Sequence, residues 1–144
     1  MTTESHISVF DESLHQTHDW LRELEMVAGL ESQAQAYSIL REVLHALRDC
    51  LSPDEAADLA SELPMVIRGF FYEGWEPAKT PTRLRTRQAF FETIREQTLR
   101  VADMDPAVAV GSVFKVLSHR ISVGEISDIR HVLPKELSDM WPRP

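Results

Sequence analysis

Apolar side chains recur along this chain at spacings of three and four, the period of a helix buried on one side. The first stripe is Phe10, Leu14, Leu21, Leu24 and Ala28, with Gly29 placed to end it and a polar tail over residues 1–8 before it. A second stripe, Ala36, Leu40, Val43, Leu44 and Leu47, predicts a helix from near Ser32 to about Asp49. Ser52-Pro53-Asp54-Glu55 then carries every part of a helix start. The serine caps, the proline takes the first helical position, and the glutamate three residues on closes a capping box. The short helix behind it bears Ala56, Leu59, Ala60 and Leu63, and Pro64 ends it or starts the following one. A fourth helix, about 65–72, precedes a loop from Glu73 to Thr86. No segment alternates cleanly enough to compete as a strand.

The pattern then returns, offset by 70 residues. Trp20-Leu21 falls on Phe90-Phe91, Leu24 on Ile94, Ser52 on Ser122, Glu55 on Glu125, Asp58 on Asp128 and Leu63-Pro64 on Leu133-Pro134. Between Val43 and Pro64, seven of 22 positions are identical without a gap, which is far above chance. The expected architecture is therefore all-α: two tandem modules of four helices, two long and two short, packed into one helical domain. The first spans residues 9–78 and the second 87–144, with a basic linker over 79–86.

At 144 residues the chain is long enough to bury one core. Charge modifies this picture. The net charge of −8 is unevenly spread: residues 1–78 sum to −11, whereas residues 79–100 sum to +4. The acidic balance weighs against nucleic acid or an anionic membrane as a partner for the whole surface. No apolar run approaches the ~20 residues that span a bilayer, and the N-terminus lacks the basic and apolar regions of a secretory signal. Cys50 is the only cysteine, which rules out an internal disulfide and a cysteine zinc site. A cytoplasmic location is the resulting expectation.

Two runs look familiar. Leu63-Pro64, then Arg68-Gly69, two aromatics and Glu73-Gly74-Trp75 close the first copy. Gly124-Glu125, Asp128, Leu133-Pro134 and Trp141 close the second. Both resemble the bacterial family catalogued as domain of unknown function 2267, and the resemblance extends from about Trp20 to Trp141. It implies an all-helical bacterial protein and implies no activity.

Candidate chemistry is sparse. Glu55/Asp58 and Glu125/Asp128 are i, i+3 pairs, each on one helix face. Four converging carboxylates would suit a metal or acid–base chemistry, but two capping boxes explain Ser52 and Ser122, Glu55 and Glu125 and their spacing, whereas a metal explains only the acids. His15 and His18 share a face without a third ligand, and His45, His119 and His131 show no partner pattern. Cys50 ends a helix next to Asp49, the wrong setting for an activated thiol. Arg83, Arg85 and Arg87 alternate in the linker and offer an anion-binding edge without a glycine cradle. The run from Met65 to Phe71 is too apolar for a single stripe. Phe70, Phe71 and Trp75 are accordingly either core between the modules or a docking surface. No catalytic set, metal or cofactor follows from these residues. The expectation is a non-enzymatic helical module that binds another protein or a second copy of itself. Anion or nucleic-acid binding by the linker, or a carboxylate- or metal-dependent enzyme, are the alternatives.

Overall fold

The computed structural model describes residues 7–143, so the first six residues of the polar tail lie outside the described residues. The described chain is all helical and contains no strand. Four helices come first: α1 (Ser8–Ala28), α2 (Gln33–Asp49), α3 (Pro53–Ser61) and α4 (Met65–Tyr72). A 3-10 turn at Pro77–Lys79 interrupts the connecting segment. The rest comprises α5 (Arg87–Glu92), α6 (Glu96–Val101), α7 (Pro106–Arg120), α8 (Val123–Val132) and α9 (Lys135–Ser138).

Local chemistry sets most of these boundaries. Gly29 takes the left-handed conformation that closes α1 (φ 70°), and its N–H bonds the Glu25 carbonyl. The Ser32 hydroxyl accepts from the Gln35 N–H to start α2. At α3 the capping box is complete: Ser52 Oγ accepts from the Glu55 N–H, and the Glu55 carboxylate accepts from the Ser52 N–H. Ser122 caps α8 in the same way, but the reciprocal half of its box differs from expectation. Glu62, from the end of α3, takes the Ser122 N–H at 2.7 Å and its hydroxyl at 2.9 Å. Glu125 makes no such bond, and the helix start is closed from across the molecule instead.

A second difference concerns α5 and α6. The expected long helix is broken between Glu92 and Glu96. Thr93 Oγ1 donates to the Phe90 carbonyl at 2.7 Å, and Arg95 turns extended (φ −61°, ψ 125°). The turn sends the Arg95 guanidinium to Glu42, a buried carboxylate on α2, at 2.5 Å. Satisfying that carboxylate takes precedence over continuing the helix.

The centre of the molecule is where α1, α2 and α7 pack together. Ile39, Leu40, Val43, Leu44 and Leu47 of α2 have no exposed area, nor do Val110, Val113, Phe114, Val116 and Leu117 of α7. One continuous core thus draws on both halves of the chain. The seam is reinforced at its edge, where Glu23 of α1 meets His119 at 2.9 Å and Arg120 at 2.8 Å.

Helix ends buried against this core need partners for their last carbonyls. Two arginines provide them. Arg48 of α2, only 4% exposed, donates from one Nη to the carbonyls of Phe71 and Glu73, both at 2.8 Å, and from Nε to Asp49. Arg68 of α4 folds back to the end of α3, donating to Ala60 at 2.8 Å and Leu63 at 2.9 Å. Replacing Arg48 by Met keeps much of the bulk but leaves buried carbonyls unpaired. Urea unfolding of Arg48→Met is expected to show a loss of about 2–4 kcal/mol. Ser52→Ala, which removes one cap, should cost about 1 kcal/mol. Equal losses from both changes would contradict the buried role of Arg48.

Candidate functional site

The aromatic segment is set by α4 and its exit. Ile67 and Phe71 have no exposed area, and Phe70 is buried edge-on against Tyr37 with ring centroids 5.2 Å apart. His45 Nε2 lies 2.6 Å from the Phe70 carbonyl, which can only accept, so that nitrogen carries the proton. Burial pulls the His45 imidazole below its usual range, which keeps it neutral, although the Phe70 bond works the other way. Trp75 follows Gly74 (φ 71°) and packs its ring on Tyr72 at 5.2 Å. It is half-buried, and its Nε1 finds no acceptor in the protein. Of the three aromatics, then, Phe70 and Phe71 lie in the wall of the core, and only Trp75 keeps part of its ring accessible.

The opposite side of α4 is different. Met65 and Val66 are exposed at its first turn, and the Val66 N–H donates to Ser13 Oγ of α1 at 3.3 Å. Beside them runs the start of the α1 stripe. Along Phe10, Leu14, Thr17, Leu21 and Leu24, exposure falls from 52% and 50% at the first two positions to 6% and 0% at the last two. Ser13 and Thr17 are buried along the same stretch, so the start of α1 turns a polar strip inward and leaves Phe10 and Leu14 on an uncovered flank. Ile7 and Val9 add to the same uncovered end. Val9, Ser13, Pro64 and Met65 line a hollow of about 320 Å³, with Glu12, Glu62 and Arg68 also in its wall. Sequence reasoning assigned Phe10 and Leu14 to the core. The available signal is that their counterparts 70 residues on, Thr80 and Leu84, fall in the linker and not in a helix.

The linker crosses the end of α2, where the Thr82 N–H donates to the Asp49 carbonyl at 2.7 Å. Arg87 Nε donates to the Glu136 carbonyl at 3.2 Å, so it serves to dock α9. Arg83 and Arg85 are exposed. The three arginines are therefore not equivalent, and only the first two present themselves to solvent without a bond among the described residues.

The repeated carboxylates do approach one another, because α3 packs on α8. Partial burial pushes the Glu125 carboxyl up to about 7, assisted by the negative charges of Glu62, Asp58, Asp128 and Glu55. Among the described residues, no three His, Cys, Asp or Glu side chains are placed to hold a metal ion. His18 Nδ1 lies 2.6 Å from Gln33 Oε1, while His15 approaches Asp19 at 3.5 Å, so the two imidazoles are engaged separately. Cys50 is half-buried, and burial pushes its thiol up, away from the reactive thiolate.

Glu125 makes a pH-dependent prediction. Its folded value lies above the unfolded one, so the folded state favours the proton. The ionised form costs nothing below about pH 4.5, and the cost grows as pH rises toward about 7. Glu125→Gln is therefore expected to match the parent's stability at pH 4 and to exceed it at pH 8, by an amount reduced through solvent screening. An equal difference at both pH values would exclude carboxylate repulsion at this position.

No helix among the described residues is long and apolar enough to cross a membrane. Comparison with curated proteins gives no match. A family model described as "Uncharacterized conserved protein (DUF2267)" matches residues 17–140, a span that takes in both halves of the shared core, the Arg48 and Arg68 caps and the carboxylates between α3 and α8. The chain belongs to this family of uncharacterized conserved proteins.

Proposed function

We propose that this chain is a non-enzymatic interaction module that associates with a second copy of itself through the uncovered start of α1 and the first turn of α4. The observation that carries the reading is the start of α1, where Phe10 and Leu14 continue the apolar stripe yet stay about half-exposed, while Ser13 beside them is buried and bonded to α4. An amphipathic face of this kind gains free energy only when something covers it. A second copy fits for two reasons. The ridge of Phe10 and Leu14 lies beside a hollow walled by Val9 and Met65, so one patch holds both shapes that a two-fold contact requires. The rim also carries both signs of charge, Glu12 and Glu62 with Arg68, so like charges need not be forced together.

Each half-exposed side chain contributes roughly 1 kcal/mol when it is fully covered, and four to six of them make a modest, concentration-dependent association. Sedimentation over a wide range of concentration should show a reversible dimer. Phe10→Glu and Leu14→Glu should each weaken it at least about tenfold. The melting temperature of the monomer should hardly move, because neither residue is packed in the core. A parent protein that sediments as a monomer throughout, or variants that dimerise as well as the parent, would sink the reading.

A further inference from the structure

In the second half of the chain, a cavity of about 630 Å³ opens between α7, α8 and the end of the chain. Its wall holds Lys115, His119, Arg130, His131 and Arg143, together with three serines and, among the described residues, no carboxylate. A second cavity of about 610 Å³ shares Arg130 and Arg143 with the first and adds Lys135, Asp139 and Trp141. The one acid there, Asp139, is already held by Lys135 at 3.1 Å. Among the described residues, Lys115, Arg130, His131 and Arg143 enter no ion pair. This surplus of positive charge sits on a chain whose net charge is −8.

Two further observations concern the wall of the second cavity. Arg130 Nε is buried and has no hydrogen-bond partner, and the same holds for Nε1 of Trp141, a residue only 3% exposed. Both groups donate and neither can accept, so only an acceptor satisfies them. Buried donors left unpaired cost free energy, and a site that gathers two of them among cations is built for an anion. The origin of the space is visible in the offset of 70. The positions that correspond to Arg48 and Arg68 are Ser118 and Ser138, and both line the first cavity. The guanidiniums that plug helix ends in the first half are absent from the second. Ala60 and Glu73 correspond to Arg130 and Arg143, so cations now stand where a methyl group and a carboxylate stood.

We infer that this paired cavity is a binding site for a small phosphorylated ligand, with the phosphoryl group held by Arg130, Trp141 Nε1 and Arg143. The fork of an arginine suits phosphate oxygens, and Lys115 and the two histidines supply further donors toward the mouth. Val123, Ile126 and Pro142 form an apolar wall that can take a carbon body attached to the phosphate. The volume admits a metabolite-sized molecule and not a polymer. The inference is independent of self-association, since none of these residues lies at the start of α1.

Isothermal titration of the full chain with inorganic phosphate and with phenyl phosphate, against chloride at matched ionic strength, tests the site. Saturable binding of at least one phosphate species is expected, with none for chloride. Tighter binding of phenyl phosphate identifies an organic phosphate as the ligand class; equal or tighter binding of the inorganic ion assigns the site to free phosphate. Arg130→Gln should weaken binding at least about tenfold. Trp141→Phe keeps the ring that stacks on Phe114 at 4.1 Å and removes the donor, so it should fold and bind several-fold more weakly. Phe10→Glu should bind like the parent. Absence of saturable binding, or equal affinity in parent and Trp141→Phe, overturns the assignment, whatever the stability of Arg130→Gln.

Discussion

The constraint on which the rest depends is the need of the α4 backbone, ending inside the molecule, for donors. Phe71 must be buried to complete the core, which brings the last turn of α4 and its free carbonyls against α2. Arg48 resolves the conflict by spending its guanidinium on the carbonyls of Phe71 and Glu73, and His45 adds a bond to that of Phe70. The apolar run of α4 is tolerable only because these polar groups wait for it on the neighbouring helix. Arg68 repeats the device in the opposite direction, tying α4 to the end of α3.

In the second half, serines stand 70 positions after both arginines, and helix ends there are satisfied differently. α9 is four residues long where α4 is eight, and Ser118, in the place of Arg48, bonds only its own helix at the Phe114 carbonyl. Trp141 restores part of the apolar filling by stacking on Phe114. What is not restored is left as space bordered by positive charge. The two halves thus share a pattern of starts and stripes and differ where helix ends are satisfied.

Features that depend on a few neighbouring residues were legible in the sequence. The capping box at Ser52 and Glu55, the Gly29 stop and the α2 stripe follow from spacing alone, and with the offset of 70 they suffice to define an all-helical chain. Features that depend on distant partners were not. The break before Arg95 answers a carboxylate 53 positions away, and the Ser122 cap is completed by Glu62, 60 positions away. Neither distance leaves a trace in local propensity. The bare start of α1 was misread for the converse reason, because periodicity reports which side of a helix is apolar and not how far the covering layer extends. The exchange of Arg48 and Arg68 for serines was visible in the offset alignment, as two large-to-small changes at matched positions.

The seam between α1, α2 and α7 has one more implication. Since α2 and α7 bury their apolar stripes in the same core, separating the two halves would expose an interface as apolar as a protein interior. The residues from 73 to 86 join the halves in sequence, but the adhesion between them resides in side chains elsewhere. The segment that joins the halves acts as a tether that raises local concentration, while the packed helices supply the binding.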